Sequence, residues 1–371
     1  MAKLIPIIIA VAQTPPPFHG QSVMNQFLLE GDYSKIRFYH VRMAFSDDIQ
    51  EVGVFRWKKI FHLVAVYFGI VLARFRTGAQ VLYYPPASPN MVPFLRDCVL
   101  LLGTRWLFKK TVFHFHASGL KGFYERLPWP LQKVFRWAYG RPDLSISISS
   151  FAKADAEFSD SQVISVIPNG IPEPDIVKKL HRLSAQDAPE ILFCGMVSKE
   201  KGVAILLEAC AYLKTKGIHF RCTIVGRAVS EADQKFFTEF IQSNQMEDIV
   251  QLTGPLHGDE KWKAYSRADV FCFPTFYSAE TFPLVAIEAM MLDLPVVATN
   301  WRGLPDIVVD GETGFLVPPK DAKSIAERLE ILISDTDLRR TMGAAGRRRY
   351  EQNFTVGKFR NSMEFALASV V

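Results

Sequence analysis

Cysteine is scarce in this sequence, and its few copies are scattered. Their number is odd, and no two stand at the spacing of a zinc site (Cys98, Cys194, Cys210, Cys222, Cys272). No cluster of histidine with cysteine occurs either. This scarcity argues against a disulfide-stapled secreted scaffold and indicates free thiols in a reducing cytoplasm.

Long hydrophobic runs are also missing. Residues 60–73 are fourteen largely apolar positions between basic flanks, whereas a membrane-spanning helix requires about twenty. The run therefore predicts a buried helix, whose basic ends could still rest on lipid headgroups, and no single transmembrane helix. Residues 4–12 suit either a signal peptide ending at Ala10-Val-Ala12 or a buried parallel strand. The free cysteines favour the strand.

Acidic residues are nearly absent between Phe55 and Arg141. This window holds fourteen Lys or Arg against Asp97 and Glu125, a net charge of +12, so the rest of the chain is net negative. Four of the six tryptophans lie in the same window. Basic side chains mixed with Trp and Phe suit an anionic membrane surface. A nucleic-acid surface is the alternative, but no recognised binding module is present.

The length and composition indicate two globular domains. The chain has 371 residues, 49% hydrophobic and 22% charged. A strand, a glycine-containing loop and a helix begin each half, which is typical of doubly wound α/β domains. The predicted segments are a first domain, a polar linker, a second domain and a final helix (residues 1–172, 173–189, 190–355 and 356–371). No Gly-x-Gly-x-x-Gly follows a predicted strand, which disfavours a nicotinamide-dependent oxidoreductase.

The most informative stretch spans residues 273–291. Glu280 belongs to a loop, Pro283 suits the first turn of a helix, and Glu288 lies inside that helix. The unpaired N–H groups of Phe282 and Leu284 would favour an anion such as phosphate. One short element thus offers two carboxylates and a phosphate seat, which suits a sugar nucleotide. The alternative is a capped amphipathic helix with two solvated acids.

The run Glu280-Thr-Phe-Pro-Leu-Val-Ala-Ile-Glu288-Ala-Met resembles the signature of retaining glycosyltransferases of family 4. Other matching pieces follow in order along nearly the whole chain. The resemblance implies the GT-B fold, an α/β architecture of two Rossmann-like domains facing a cleft, with residues 356–371 returning to the first domain. It also implies that Glu280 contacts the donor sugar and Glu288 the ribose hydroxyls, beside a helix start formed by Thr281, Phe282, Pro283 and Leu284.

The same resemblance extends to the glycine loop after residues 191–194. Gly195 and Lys201 match the family, where this lysine holds the donor diphosphate, but Met196 replaces an arginine. Losing one of two cations weakens neutralisation of the leaving group. Either Lys199 or Arg227 substitutes for it, or the donor binds differently, or activity is reduced.

In the first domain the resemblance places His116 at a strand end facing the donor sugar. His116 would hydrogen bond to the sugar rather than abstract a proton. Gly20 and Gln21 fall on the acceptor side, where His19-Gly20 stands in place of the family's Gly-Gly pair. The implied reaction is same-face transfer with retention from a UDP- or GDP-sugar.

No cofactor and no metal are expected. Asp335-Thr-Asp337 has the spelling of a metal site, but its position between two helices predicts a turn with a helix cap. The basic, aromatic first domain suggests a lipid-linked saccharide acceptor in cell-surface polysaccharide synthesis. The expected location is the cytoplasm, peripheral to the inner face of the membrane. Because Met196 replaces a cation, the alternative is that the protein binds a sugar nucleotide without catalysis, as the partner of a glycosyltransferase.

Overall fold

A computed structural model describes residues 5–45, 57–180 and 188–371. Three predicted features extend beyond these ranges: the first residue of the strand at 4–12, the basic residue 56, and positions 181–187 of the linker. Those positions lie outside the described residues. The chain divides into two compact units, unit 1 (Met1–Gly170 and Val356–Val371) and unit 2 (Ile171–Thr355).

Unit 1 is built on a parallel six-stranded sheet of order β2-β1-β3-β4-β5-β6. The central strands are fully buried, as expected for continuous apolar runs in a sheet covered on both faces. The strand order reverses between β1 and β3, and ligands bind at such switch points beyond the carboxyl ends of the strands. The strands are β1 Ile7–Ala12, β2 Arg37–Arg42, β3 Val81–Tyr84, β4 Lys110–Phe115, β5 Leu144–Ser147 and β6 Val163–Val166.

Helices cover both faces of this sheet. The first and last helices of the unit, α1 and α15, pack together, whereas α3 packs between α2 and α5. Right-handed crossovers place these two groups on opposite faces. The helices are α1 Gly20–Leu29, α2 Trp57–Thr77, α3 Met91–Thr104, α4 Leu120–Glu125, α5 Trp129–Tyr139, α6 Lys153–Phe158 and, after unit 2, α15 Val356–Ala368.

Helix α2 corrects the prediction for residues 60–73. It extends over 21 residues, from Trp57 to Thr77, and only Val66, Ile70 and Ala73 among its described side chains are buried. Within the described residues, one segment has the length and composition of a membrane span. This segment is Lys59–Thr77, with mean hydropathy 1.5 and only 17% of its most apolar window buried. The expectation of a short buried helix was therefore wrong.

A proline-rich break separates α4 from α5. The structure has two helices, because Pro128 takes the N-cap position of α5 with extended backbone and Pro130 lacks an N–H.

Unit 2 contains a second parallel sheet, of order β12-β11-β10-β7-β8-β9. Counted from β7, this is the 3-2-1-4-5-6 order of dinucleotide-binding folds, with the switch point between β7 and β10. All residues of these two strands are buried. The strands are β7 Glu190–Cys194, β8 Arg221–Val225, β9 Val250–Gly254, β10 Val270–Phe273, β11 Val296–Thr299 and β12 Gly314–Val317.

The first helix of unit 2, α7, lies inside the segment that the sequence predicted to be the linker. Unit 1 ends at Gly170, two residues before the predicted limit. The helices are α7 Asp175–Lys179, α8 Val203–Thr215, α9 Glu231–Ser243, α10 Gly258–Arg267, α11 Leu284–Met291, α12 Leu304–Ile307, α13 Ala322–Ser334 and α14 Thr336–Arg349.

Candidate functional site

Two loops lie together at the switch point of unit 2. One follows β7 and leads into α8, and the other follows β10 and leads into α11. The Phe276 N–H donates to the Glu200 carbonyl at 2.9 Å, which joins them. The Trp301 indole N–H donates to the Tyr277 carbonyl at 2.9 Å and holds the second loop from the other side. Residues 195–202 and 274–283 therefore form one polar rim at the strand ends.

Gly202 allows the two loops to approach. Its φ is +81°, a left-handed conformation that favours glycine. A Cβ atom there would lie 2.0 Å from the Pro274 carbonyl oxygen. Only glycine fits this position, so it fixes where the preceding Lys201 stands.

Lys201 and Glu280 form an ion pair across this rim. The Lys201 ammonium donates to Glu280 Oε2 at 2.5 Å, although the residues are 79 positions apart in sequence. Both side chains are largely buried, 12% and 11% exposed. The ammonium also lies 4.7 Å from the centre of the Tyr277 ring. The cation and the carboxylate predicted for the same donor are thus neighbours at the switch point.

Glu288 lies inside α11, as predicted, and both of its oxygens are occupied. Lys261 donates to Oε1 at 2.6 Å, and the Tyr265 hydroxyl donates to Oε2 at 2.9 Å. Cys194, the last residue of β7, is close enough that burial, with a smaller contribution from the Glu288 charge, raises the pKa of its thiol to about 11. Glu288 is therefore held at the carboxyl end of β7.

The start of α11 differs slightly from the prediction. Pro283 is the N-cap residue rather than the first helical one, and the helix begins at Leu284. Within the described residues, the N–H groups of Phe282 and Leu284 have no acceptor. Thr281 and Phe282 are buried beside them. The unpaired amides give this end a positive field, beside the carboxylate of Glu280.

The loop that contains Gly195 and Met196 lies beside Arg227. Gly195 follows β7, and the Val197 N–H donates to the Arg227 carbonyl at 2.9 Å. Met196 is about half exposed. Arg227 is exposed, and its side chain forms no ion pair or hydrogen bond within the described residues. The Lys199 ammonium instead lies 4.0 Å above the Phe236 ring centre. Arg227 is therefore the better placed of the two candidate substitutes.

His116 lies just beyond β4 in unit 1 and is buried. Its Nε2 has no hydrogen-bond partner within the described part of the chain. Burial, with a smaller effect of His19, lowers the pKa of its imidazole to about 3. The ring lies 4.0 Å from that of His114, whose Nδ1 shares a 2.6 Å hydrogen bond with the Tyr83 hydroxyl. His116 is thus a neutral imidazole with a free nitrogen at a strand end.

Gly20 and Gln21 open α1 at the switch point of unit 1. His19 caps this helix, its Nδ1 accepting the Ser22 N–H at 3.3 Å. The Gln21 amide donates to the Pro85 carbonyl beyond β3, at 3.4 Å. A Cβ on Gly20 would meet no atom within 4 Å. The fold itself therefore does not require a glycine there, and the open space beside it is available to a ligand.

The Asp335-Thr-Asp337 sequence has a structural role, as predicted. The Asp335 carboxylate accepts the Leu338 N–H at 2.8 Å and caps α14. Within the described ranges, no three His, Cys, Asp or Glu side chains are grouped as metal ligands.

Comparison with known proteins identifies the family. Residues 178–349 match the profile described as glycosyl transferases group 1. The chain is 32% identical over 295 residues to WcaL of Escherichia coli strain K12, provisionally named a colanic acid biosynthesis glycosyltransferase, covering 77% of this chain and 69% of WcaL. The chain belongs to the group 1 glycosyl transferase family. Its two parallel sheets with flanking helices are those of the GT-B fold, as predicted.

Two further proteins extend this likeness. The chain is 36% identical over 183 residues to the capsular polysaccharide biosynthesis glycosyltransferase CapM of Staphylococcus aureus, covering 48% of this chain but only 45% of CapM. Among solved structures, Alr3699/HepE of Anabaena, in complex with UDP, has a TM-score of 0.74 at 18% identity, with 98% of this chain and 100% of that chain covered. At this identity the structural likeness concerns the fold alone.

Lys261 and Tyr265, which engage Glu288, were missed by reasoning from the sequence. They stand four residues apart, on one side of α10, so their spacing gave a signal that two hydrogen-bonding groups face one way. Nothing in the local sequence linked them to a carboxylate more than twenty positions later. Only the packing of α10 beside the carboxyl end of β7 does so.

Proposed function

We propose that this protein is a glycosyltransferase that moves a sugar from a UDP- or GDP-sugar to a saccharide acceptor in polysaccharide synthesis. The observation that carries the proposal is the Lys201–Glu280 pair at the switch point of unit 2, with Glu288 and the open start of α11 beside it. Family membership and the names of the relatives support the same class.

Each part of this site has a role in the proposal. The ribose hydroxyls hydrogen bond to Glu288, and the diphosphate lies against the Lys201 ammonium and the amides of Phe282 and Leu284. Glu280 contacts the sugar and stabilises the positive charge that develops on it. Because backbone amides and protein cations neutralise the leaving diphosphate, the transfer proceeds without a metal or other cofactor.

We assign retention of configuration to this transfer. The leaving phosphate takes the proton of the acceptor hydroxyl, which attacks the same face of the sugar, so no carboxylate nucleophile is required. Unit 1 supplies Gly20 and Gln21 for the acceptor, and His116 hydrogen bonds to a sugar hydroxyl.

The acceptor is proposed to be a lipid-linked saccharide, and the protein to lie in the cytoplasm, peripheral to the inner face of the membrane. The +12 charge of residues 55–141, together with their exposed aromatic residues, supports this part.

A panel of UDP- and GDP-sugars tests the donor. At a concentration one hundred times its Kd, a true donor stabilises the fold by about 2.7 kcal/mol, which raises Tm measurably. Turnover with the stabilising nucleotide, and nuclear magnetic resonance of the product anomer, then test transfer and retention. If no member of the panel raises Tm and none is consumed, the transferase proposal fails.

A non-catalytic sugar-nucleotide-binding partner is the second candidate, and Met196 in place of a cation favours it. The two candidates differ in turnover, since the partner would be stabilised by the nucleotide but would not consume it, even by slow hydrolysis.

Arg227 is expected to supply the cation that Met196 lacks. Replacing it by alanine in Arg227→Ala removes a charge-assisted hydrogen bond to the diphosphate, worth roughly 1.5–3 kcal/mol. The KM for the donor should therefore rise about tenfold or more, measured by initial rates at varied donor concentration. Lys199→Ala is the matched control and should stay within about twofold, because that ammonium lies over Phe236.

A second substitution tests whether Arg227 acts through its positive charge. Adding Met196→Arg to Arg227→Ala restores a cation on the neighbouring loop and should recover donor affinity. Unchanged donor affinity and turnover in Arg227→Ala would reject the assignment, and a Lys199→Ala defect of the larger size would transfer the role to Lys199.

A further inference from the structure

Helix α2 presents an apolar stripe to solvent. The stripe members are spaced by three or four residues, so they align along one side of five helical turns. Their exposure is high, reaching 76% for Phe61 and 73% for Phe75. The stripe consists of Trp57, Phe61, Val64, Phe68, Leu72 and Phe75.

A second stripe runs along the neighbouring α3 and the 3-10 turn that follows it. Its members again recur every three or four residues and are exposed (Val92, Leu95, Val99, Leu102, Trp106). Because α2 and α3 pack side by side, the stripes together form one surface, here called the α2–α3 apolar face. Contiguous exposed apolar surface of this extent marks an interaction site.

The opposite side of α2 packs against the core of unit 1. Val66, Ile70 and Ala73 are buried and belong to the core cluster of unit 1. Moreover, α2 connects β2 to β3, which are strands of one sheet on either side of β1. A helix that crossed a bilayer would have to abandon this packing. The geometry therefore allows α2 to lie on a membrane rather than span one.

Cations outnumber acids around the face. Arg76, Lys109 and Lys133 are exposed, with the Lys133 ammonium 4.1 Å above the Trp129 ring centre. Of the two acids in residues 57–141, Asp97 is fully buried and bonded to Arg96, Tyr84 and Tyr139, which leaves Glu125 at the surface.

A basic cavity lies at the edge of this face. It has a volume of about 430 Å³ and is lined by the cations Arg105 and Lys109, the acid Asp143 and the aromatic residues Trp106 and Trp137, among others. Asp143 is paired with Lys110 at 2.8 Å, so cations remain in excess there. The Arg105 guanidinium donates to the neutral carbonyls of Ala138, Gly140 and Arg141, and its charge also interacts with Asp143, which is itself bonded to Lys110. Aromatic side chains around a cationic cavity match the headgroup region of a bilayer, where tryptophan concentrates.

We infer that the α2–α3 apolar face is the surface by which this protein docks on an anionic lipid bilayer, with α2 lying in the headgroup region parallel to the membrane. Apolar side chains enter the acyl boundary while the surrounding cations meet lipid phosphates. A second copy of the chain fits less well, because an isologous dimer would set like charges against each other. The inference gives the membrane contact of the proposed function a defined surface, but it does not depend on turnover.

Vesicle sedimentation of the full chain tests the inference. We expect binding to vesicles that contain phosphatidylglycerol, little binding to phosphatidylcholine alone, and weakening with salt. Phe61→Gln should weaken partition roughly tenfold, and adding Phe68→Gln should weaken it further. Phe365→Gln is the matched control: Phe365 is 75% exposed on α15, on the other face of the sheet, and its replacement should leave partition unchanged.

Charge is tested separately with Arg76→Glu and Lys109→Glu, which should weaken binding to anionic vesicles without changing Tm. The inference is overturned if the protein does not bind anionic vesicles at low salt, or if Phe61→Gln and Phe365→Gln bind alike. It is also overturned if Phe61→Gln instead abolishes a dimer seen by analytical ultracentrifugation. Vesicle binding by a protein that consumes no sugar nucleotide would refute the proposed function and leave the docking surface standing.

Discussion

Lys201→Met is expected to reduce kcat by roughly 100- to 1,000-fold, the usual effect of removing one group that stabilises charge in the transition state. The ammonium of Lys201 is bonded to Glu280 in the free protein, so it is already in place beside the donor site. Its removal has two consequences: the leaving diphosphate loses a cation, and Glu280 is left largely buried without a partner. The second consequence should destabilise the fold by about 3 kcal/mol.

The double variant Lys201→Met/Glu280→Gln separates these consequences. It leaves no uncompensated charge, so Tm should recover most of what Lys201→Met loses, whereas kcat should stay low because both functional groups are gone. Steady-state kinetics and thermal unfolding of the wild type, both single variants and the double variant complete the cycle. Recovery of activity together with Tm would show that the pair is structural.

A control outside the site is provided by the chain itself. Lys216 and Glu330 form an ion pair of similar length, 2.6 Å, between the end of α8 and α13. This pair is more exposed, and Lys216→Met should change Tm little and leave kcat unchanged. A fall in kcat for both lysine variants would attribute the effect to general destabilisation.

The central strands were predictable because burial on both faces demands continuous apolar runs. Residues 191–194 and 270–273 are such runs, and β7 and β10 lie there. The edge strand β2 was missed. It has arginine at both ends, and its residues Arg-Phe-Tyr-His-Val-Arg do not alternate strictly between polar and apolar, so the usual signal of a half-buried strand is missing.

The exposure of α2 could not be predicted for a different reason. A helix that is apolar on all sides is ordinarily buried, and only the fold shows that one side of α2 packs on the sheet while the stripe from Trp57 to Phe75 is exposed. The same limit applied to predicting the functional site from the sequence. Glu280 and Lys201 were each found by resemblance, but nothing in the sequence spacing indicates that two residues 79 positions apart form an ion pair.

The second large effect concerns His116, which we expect to act as a neutral hydrogen-bond partner over the whole working pH range. Its pKa of about 3 lies far below the ordinary 6.5, so the imidazole does not titrate between pH 5.5 and 8. His116→Leu should lower kcat/KM by roughly 10- to 100-fold through loss of the hydrogen bond. His116→Gln retains a donor and an acceptor and should keep more activity.

The pH dependence of stability supplies an independent check with a defined sign. The folded-state pKa is depressed, so between about pH 6.5 and 3 the unfolded chain binds the proton more readily than the folded one. The free energy of unfolding should therefore fall as pH drops through this window, by up to about 1.4 kcal/mol per pH unit for this group. Denaturant titrations should show a shallower fall for His116→Leu. A limb near pH 6.5 in the kcat/KM profile that disappears in His116→Gln would instead make His116 a general base and contradict the hydrogen-bonding role.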